Sequence, residues 1–321
     1  MRKASLGLLI RGGTDNWSVE RWKTQFEREC PDRPVVVLPD PNTSASDIHY
    51  AAVWKPAPGQ LTQYPNLRAI FNLGAGVDAL LADPTIPAVP VVRMTVADLA
   101  GRMTEYVTLH VLLHHRQELH LRSAQRDKRW EPRLQWPARQ VTVGIMGYGT
   151  LGRDAAGVLR SLGFRIVAWG RTERDREDIE YFHGSEQIDA FLSKTHILVC
   201  LLPLTPATRG ILNRNLFYQL SRESPLGAPI LINAGRGGLQ NEPDILRSLE
   251  DGTLGAASLD VFSIEPLPPD SPLWIHPKIV ITPHNAADTD PDTISRFIAG
   301  QIAAFELTGA LENIVDRRRG Y

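Results

Sequence analysis

Three side chains of different chemistry follow apolar segments in the second half of the sequence: Arg236, Glu265 and His284. An arginine can hold a carboxylate through paired charge-assisted hydrogen bonds, each contributing about 1.5 to 3 kcal/mol. A histidine can transfer a proton near neutral pH, and a neighbouring carboxylate favours its protonated form. Taken singly, the three could be a charge at a helix entry, a turn residue and a loop histidine. Together they can anchor an acid and protonate a developing alkoxide.

A glycine turn is the element that must position such a site. The apolar run 141–146 leads into Gly147-x-Gly149-x-x-Gly152, and the amphipathic segment 154–162 follows. This order of strand, turn and helix predicts a dinucleotide-binding unit, with the pyrophosphate on the N–H groups of the helix. A structural turn that is merely rich in glycine is the alternative. With a nicotinamide to deliver hydride, the three side chains suit the reduction of a 2-oxo acid.

The position of Arg171 bears on the choice of cofactor. It follows a strand predicted over 165–169, where an NAD-specific protein carries an acid that binds the ribose 2′-hydroxyl. Arg174 and Arg176 follow it closely, whereas Glu173 weakens the positive field. A guanidinium suits a 2′-phosphate, so we predict NADP(H) as the preferred cofactor, with NAD(H) possible. A surface arginine without a ligand is the alternative.

Short apolar strands alternate with helical patterns along the whole chain. In the first part, strands are predicted over 5–10, 35–38, 48–54, 67–72 and 91–94. After the nucleotide unit they are predicted over 197–202, 229–233, 256–261 and 279–282. This alternation predicts an α/β protein with two Rossmann-like domains, each a doubly wound parallel sheet, and a cofactor cleft between them. The predicted boundaries are 1–97 for the first part of a substrate domain, 98–288 for a nucleotide-binding domain, and 289–321 for a return to the substrate domain.

Composition argues against several classes of function. The 321 residues carry a formal net charge of −1, which gives no sign of a nucleic acid or membrane partner. No apolar run approaches the roughly 20 residues that a membrane span needs. The two cysteines, Cys30 and Cys200, rule out a disulfide framework and favour a cytoplasmic location.

Residues 103–121 form one long helical pattern that is unusually rich in histidine. The residues predicted to face inward are Tyr106, Leu109, Leu112 and Leu113. His110 and His114 have the i, i+4 spacing that can bind a metal, but no HExxH motif or nearby third ligand accompanies them. We therefore predict histidines of an amphipathic or interface helix, and no metal site.

Five motifs, in their order and spacing, resemble the D-isomer-specific 2-hydroxyacid dehydrogenases. They are Gly147-Tyr148-Gly149-Thr150-Leu151-Gly152, Leu201-Leu202-Pro203-Leu204-Thr205, Asn233-Ala234-Gly235-Arg236-Gly237, Leu259-Asp260-Val261-Phe262-x-x-Glu265, and Thr282-Pro283-His284. Within the family the sequence is most similar to the glyoxylate/hydroxypyruvate reductase branch, through segments 53–56, 73–78, 169–172, 271–274 and 315–321. It departs from that branch at Gly170, where serine is more usual, and at Asn285, where a small or apolar residue is more usual.

The resemblance implies a role for each matching position. Arg236, Glu265 and His284 would form the catalytic triad, with His284 as the general acid in reduction. The implied substrate-binding residues are Trp54, Gly74, Ala75, Gly76, Val77 and Arg236. The backbone amides of 75–77 would bind the substrate carboxylate. On local grounds, the small residues there could form either an anion-binding nest or a plain turn. The implied cofactor-binding residues are Gly147, Tyr148, Gly149, Thr150, Leu151, Gly152, Arg171, Thr172, Leu202, Pro203, Ala234, Gly235, Asp260 and His284.

The resemblance also implies an activity. It is the NADPH-preferring reduction of glyoxylate to glycolate and of hydroxypyruvate to D-glycerate, in a homodimer formed through the nucleotide-binding domain. One alternative is a dehydrogenase of another small D-2-hydroxy acid. An alternative of another class is an NAD(P)-sensing interaction protein similar to the co-repressors of the family.

Overall fold

Two compact units make up the chain in the computed structural model, which describes residues 3–11, 17–173, 179–288 and 290–320. One unit is Met1–Asp98 with Thr289–Tyr321, and the other is Leu99–Asp288. Each contains a parallel β-sheet, which confirms the predicted α/β class. Within the described ranges, no helix is long and apolar enough to cross a membrane.

The first unit has, in its described part, a five-stranded sheet in the order β2-β1-β3-β4-β5. The strands are β1 (Ser5–Ile10), β2 (Val35–Val37), β3 (Ile48–Trp54), β4 (Ala69–Asn72) and β5 (Val91–Val92), with helices α1 (Val19–Glu29) and α2 (Asp78–Leu81). The Ser18 side chain caps α1 by accepting a hydrogen bond from the Arg21 N–H at 3.3 Å. The apolar side of α1 buries Trp22 and Phe26 against the sheet, which fixes its orientation.

The second unit has a seven-stranded sheet, counted over the described residues, in the order β12-β11-β10-β9-β6-β7-β8. The strands are β6 (Thr142–Met146), β7 (Arg165–Gly170), β8 (Glu180–His183), β9 (Ile197–Cys200), β10 (Ile230–Asn233), β11 (Ala256–Leu259) and β12 (Ile279–Ile281). The accompanying helices are α3 (Ala97–His115), α4 (Glu118–Arg126), α5 (Thr150–Ser161), α6 (Ile188–Leu192), α7 (Arg214–Gln219) and α8 (Glu242–Glu250). The strand order reverses between β6 and β9, and such a switch point is where α/β sheets bind ligands.

The last helix, α9 (Pro291–Thr308), packs against α1 within the first unit. Its Ile294, Ile298 and Ile302 are buried in the same core as Trp22 and Phe26. The Arg33 guanidinium, itself almost fully buried, donates to both carboxylate oxygens of Glu306 at 3.0 and 2.9 Å. Apolar packing and this two-point ion pair hold the C-terminal helix on the first sheet.

The histidine-rich segment differs from its prediction in two ways. It is two helices, because α3 ends at His115 and Gln117 adopts a left-handed conformation with φ 58° before α4. The inward assignment of Leu109 is wrong, since this side chain is 60% exposed. The buried stripe of α3 instead runs through Val107, His110, Val111 and His114. Histidine is a polar residue type, so the sequence pattern did not assign His110 and His114 to the buried face of the helix.

His110 and His114 share one hydroxyl in the interior of the second unit. His110 Nδ1 and His114 Nε2 each lie 2.8 Å from Ser258 Oγ on β11. A hydroxyl has one proton, so Ser258 donates to one ring and accepts from the other. Burial lowers the pKa of His110 to about 4 and that of His114 to about 3, where repulsion from His110 adds to the effect. Among the described residues, no cluster of three or more possible metal ligands is found.

These lowered pKa values make stability depend on pH. After unfolding, both histidines titrate near the ordinary value of about 6.5, so below that pH the unfolded chain binds more protons than the folded one. Stability should fall as the pH decreases from about 6.5 toward 4, by up to about 1.4 kcal/mol per pH unit for each histidine. The measurement is urea unfolding at several pH values between 7 and 5.

The matched variants are His110→Gln with His114→Gln, and His49→Gln in the other unit as the control. The double variant should be less stable at pH 7 but show a flatter pH dependence, whereas the control should keep the wild-type slope. An unchanged slope in the double variant would show that the two buried histidines are not linked to unfolding through protons.

Candidate active site

The predicted cofactor and catalytic residues of the second unit all follow the carboxyl ends of its parallel strands. The glycine turn follows β6, residues 171–172 follow β7, 202–203 follow β9, 234–236 follow β10, Asp260 follows β11, and His284 follows β12. Parallel strands end at a common edge, so one sheet edge carries the whole set. Arg174 and Arg176, which also entered the cofactor prediction, lie outside the described residues.

The glycine turn is tightly packed at two positions and open at the third. Gly147 has φ 107°, and a Cβ there would lie 2.8 Å from the Leu201 carbonyl. A Cβ on Gly152 would lie 2.4 Å from the Gly147 carbonyl oxygen. A Cβ on Gly149 would meet no described atom within 4 Å, and this residue begins α5 without a side-chain cap. The open side faces the first turn of a helix, where N–H groups lack partners within the helix, so these residues fit a pyrophosphate.

His284 and Glu265 form a direct pair. His284 Nδ1 lies 2.7 Å from Glu265 Oε2, and Glu265 Oε1 accepts the Phe262 N–H at 3.0 Å. A carboxylate only accepts, so Nδ1 carries the proton of this bond and Nε2 is the nitrogen that can exchange a proton with a substrate. The two side chains are 35% and 26% exposed. The pair is therefore oriented by the protein and accessible to a small molecule.

Asp260 fixes the backbone around His284. Its carboxylate is 2% exposed and accepts the N–H groups of Asn285 at 3.0 Å and Ala286 at 3.1 Å, while its carbonyl accepts the His284 N–H at 2.8 Å. His284 adopts a left-handed conformation with φ 54°, which is unfavourable for a residue with a Cβ. The bonds to Asp260 hold it there. Asn285 contributes its backbone N–H to these bonds, and the residue is exposed.

A chain of hydroxyl groups supports Asp260 from α3. The Thr282 hydroxyl donates to Asp260 Oδ1 at 2.7 Å, and the Tyr106 hydroxyl lies 3.0 Å from Thr282 Oγ1. Because the Thr282 hydroxyl donates its only proton to the carboxylate, Tyr106 is the donor in the bond between the two hydroxyls. Burial raises the pKa of Asp260, and the donated hydrogen bonds oppose that rise. The hydroxyl chain thus favours the ionised carboxylate in a dry environment.

The loop that carries Arg236 packs directly on the loop that carries Glu265. A Cβ on Gly237 would lie 1.8 Å from the Phe262 carbonyl oxygen, so only glycine permits this contact between two backbones. Arg236 is half-buried, and its Nη1 donates to the Gly235 carbonyl at 2.6 Å. The backbone contact therefore fixes the distance between the loop that carries Arg236 and the loop that carries Glu265.

Two buried amides connect the same loops. Asn233 Nδ2 donates to Gln240 Oε1 at 2.8 Å, and Gln240 Nε2 donates to the Val261 carbonyl at 2.9 Å. Asn233 is fully buried and Gln240 is 5% exposed. Neither amide, nor the hydroxyl of Tyr106 or Thr282, was predicted as part of the site from the sequence. Asn233 and Thr282 lie within the family motifs, and this could have marked them as site residues. Gln240 lies outside those motifs, and no feature of its sequence neighbourhood marks it.

The predicted substrate-binding residues of the first unit lie at the ends of β3 and β4. A Cβ on Gly74 would lie 2.5 Å from the Trp54 ring, which stacks on Trp17 with a centroid separation of 4.3 Å. Asn72 Nδ2 donates to the carbonyls of Gly74 at 2.8 Å and Gly76 at 3.0 Å. The structure thus brings Trp54 against this loop. Ala75 and Gly76 are half-buried, and Val77 is buried.

A dinucleotide turn and a histidine–carboxylate pair on the same sheet edge define a dehydrogenase that uses a pyridine nucleotide. The sequence profile described as "D-isomer specific 2-hydroxyacid dehydrogenase, NAD binding domain" matches residues 108–286. The chain belongs to the D-isomer-specific 2-hydroxyacid dehydrogenase family and is an NAD(P)-dependent oxidoreductase. Glyoxylate/hydroxypyruvate reductase A of Serratia proteamaculans is 37% identical over 311 residues, which cover 95% of this chain and 97% of that protein.

Solved structures of similar proteins extend over the whole chain. The NADPH-dependent glyoxylate/hydroxypyruvate reductase of Sinorhizobium meliloti, in complex with NADP and sulfate, is 43% identical with a TM-score of 0.93 and covers 99% of this chain and 100% of that one. A probable 2-hydroxyacid dehydrogenase of Rhizobium etli, in complex with NADP, HEPES and L(+)-tartaric acid, is 40% identical with a TM-score of 0.93 and full coverage of both chains. The predicted family and enzyme class are confirmed.

The hydroxyl chain behind Asp260 leads to a prediction for Thr282. Thr282→Val keeps the side-chain shape but leaves Asp260 without one donor and Tyr106 without its acceptor, which should lower the free energy of unfolding by about 1 to 3 kcal/mol. The pKa of Asp260 should rise further, so the acid limb of the kcat/KM profile should move to higher pH. Steady-state kinetics between pH 5 and 9 measure this limb.

Thr282→Ser is the matched control because it restores the hydroxyl without the methyl group. It should retain the wild-type pH profile. A shift in the serine variant with none in the valine variant would show that the methyl packing of Thr282, and not its hydroxyl, supports the site.

Proposed function

We propose that this enzyme reduces small 2-oxo acids with NADPH, converting glyoxylate to glycolate and hydroxypyruvate to D-glycerate. The observation that carries the proposal is the 2.7 Å pair of His284 and Glu265 on the sheet edge that bears the open glycine turn. Similarity to glyoxylate/hydroxypyruvate reductases of Serratia proteamaculans and Sinorhizobium meliloti supports the substrate class.

His284 acts as the general acid of the reduction. NADPH held at the glycine turn of residues 147–152 would supply the hydride, and with it the two electrons, that the reduction of C2 of a 2-oxo acid requires. As the C2 oxygen gains charge, the proton on His284 Nε2 transfers to it, which breaks the N–H bond and forms the hydroxyl of the product. Glu265 accepts from Nδ1 throughout, which orients the ring for the transfer. Solvent then returns a proton to Nε2.

Arg236 binds the substrate carboxylate and polarises the neighbouring carbonyl. Its planar guanidinium matches a carboxylate in two-point hydrogen bonding, and a fixed positive charge stabilises the alkoxide as it develops. For the first unit, the family resemblance implies carboxylate binding by the backbone N–H groups of Ala75, Gly76 and Val77. Trp54, which is held by Trp17 and Gly74, limits the size of the substrate.

NADPH is the preferred reductant in this proposal because Arg171 follows β7, where the 2′-substituent of the ribose is recognised. Arg171 and Thr172 are exposed and therefore accessible to a soluble ligand. The structures from Sinorhizobium meliloti and Rhizobium etli contain NADP, and a 35% identical relative from Xanthobacter autotrophicus was solved with NADPH and MES.

A homodimer through the second unit is part of the same proposal. Three large apolar side chains near α3 and the segment after α4 are strongly exposed: Leu109 at 60%, Trp130 at 98% and Leu134 at 67%. Exposed apolar groups of this size favour contact with another protein surface. A second copy of the chain is the partner that the family resemblance suggests.

The first functional prediction concerns His284. Wild-type enzyme with glyoxylate or hydroxypyruvate should oxidise NADPH, followed as the loss of nicotinamide absorbance. His284→Gln should lower kcat by about a hundredfold or more, because a general acid contributes about 10²–10⁴-fold. Its dissociation constant for NADPH, measured by fluorescence titration, should stay near that of wild type.

His276→Gln, on the segment before β12, is the control and should keep wild-type turnover. No NADPH oxidation with any of a set of small 2-oxo acids would contradict the proposed reaction and favour the cofactor-sensing alternative. Loss of NADPH binding in the His284 variant would indicate a structural role for this histidine.

The second functional prediction concerns Arg171. Arg171→Asp places a negative charge where the 2′-phosphate is expected, so kcat/KM should fall for NADPH and hold or rise for NADH. Arg165→Asp, at the opposite end of the same strand, is the control for a change of charge. If the ratio of the two kcat/KM values is the same in wild type and Arg171→Asp, this arginine does not select the cofactor.

A further inference from the structure

Strand β8, which the sequence pattern did not predict, lies beside β7 at the end where Arg171 emerges. The two strands are parallel, with Ala168 opposite Tyr181 and Gly170 opposite His183. Beyond the ladder, the Gly184 N–H donates to the Gly170 carbonyl at 3.1 Å, and Trp169 Nε1 donates to the Gly184 carbonyl at 2.9 Å. These bonds fix β8 relative to the last residues of β7.

Tyr181 reaches from β8 to two parts of the predicted cofactor site. Its hydroxyl donates to the Thr172 carbonyl at 3.0 Å, next to Arg171. Its ring centroid lies 6.1 Å from that of Tyr148, at an interplanar angle of 47°, which is within the range of favourable aromatic pairs. Tyr148 belongs to the glycine turn and is 6% exposed. One side chain therefore contacts both the turn assigned to the pyrophosphate and the loop assigned to the ribose.

Gly170 gives Tyr181 the room to do this. A Cβ on Gly170 would lie 2.3 Å from the Tyr181 hydroxyl oxygen and 3.3 Å from the ring carbon that bears it. The serine that the family resemblance leads one to expect at 170 would occupy the position of the hydroxyl. Gly170 and Tyr181 therefore form a coupled pair: the Tyr181 hydroxyl, from β8, occupies the space that a side chain at position 170, on β7, would need.

We propose that Tyr181 is a positioning residue for cofactor selection, whose hydroxyl holds the Arg171–Thr172 backbone in the conformation that receives the 2′-phosphate. The inference rests on the proposed preference for NADPH and identifies the residue pair through which this chain achieves it. Thr172 is exposed, so water can replace the tyrosine at its carbonyl. Losing the hydroxyl should therefore alter the position of the loop much more than the stability of the fold.

The test is binding of 2′,5′-ADP and 5′-AMP by calorimetry, since these probes differ only in the 2′-phosphate and require no turnover. In Tyr181→Phe, the dissociation constant for 2′,5′-ADP should rise about threefold to tenfold, the range that one hydrogen bond supports. That for 5′-AMP should change by less than about twofold. Tyr218→Phe is the matched control, because the Tyr218 hydroxyl accepts from Arg214 at 2.5 Å on α7, and it should bind both probes as wild type does.

A double-mutant cycle tests the coupling to Gly170. Gly170→Ala alone should weaken binding of 2′,5′-ADP, because the new methyl group meets the Tyr181 hydroxyl. In the Tyr181→Phe background the same change should have a much smaller effect, since the nearest atom is then the ring carbon at 3.3 Å. Additive effects of the two substitutions would overturn the proposed pair.

The outcomes separate the two proposals. If wild type binds both probes equally, the preference for NADPH is wrong, and the role of Tyr181 falls with it. If wild type prefers 2′,5′-ADP and Tyr181→Phe keeps the full preference, the role of Tyr181 is overturned while the proposed function stands.

Discussion

The buried carboxylate of Asp260 is the constraint on which the catalytic edge of the second unit depends. A charge removed from water must be compensated by hydrogen bonds, and here a threonine hydroxyl and two backbone N–H groups supply them. These bonds turn the segment after β12 toward Asp260. The left-handed conformation of His284 is a product of that turn. His284 is thus held in place by the hydrogen bonds that compensate the buried Asp260.

Much of the fold and several site positions could be predicted because their signals are local in sequence. The spacing of Gly147, Gly149 and Gly152, and apolar runs ended by small or polar residues, place strands and turns without knowledge of the partners. Strand β8 was missed since Glu180–His183 is an edge segment whose residues are exposed or half-buried. It therefore lacks the continuous apolar run by which the interior strands were recognised.

The remaining parts of the site depend on contacts between residues far apart in sequence. His110 and Ser258 are separated by 148 positions, and Tyr106 and Thr282 by 176. Each of these side chains is ordinary in its own segment, and its role arises only when the sheet brings α3 beside β11 and β12. The same reason explains the wrong inward assignment of Leu109. A hydrophobicity pattern assigns burial from residue type alone. Here two histidines can be buried because the hydroxyl of Ser258 forms a hydrogen bond with each ring.

The backbone contact at Gly237 has a consequence for how such an enzyme can diverge. Arg236 and Glu265 are carried by loops that touch without an intervening side chain, so neither loop can be rebuilt without moving the other. A substitution that shifts Arg236 therefore also shifts Glu265, so the two positions cannot be adjusted one at a time. Under the proposed function, new substrate preferences would have to arise around Trp54, in the unit that contains no part of the proton-transfer pair. The two units can then evolve at different rates: the second unit would keep the reaction, and the first unit would change the range of acids that are reduced.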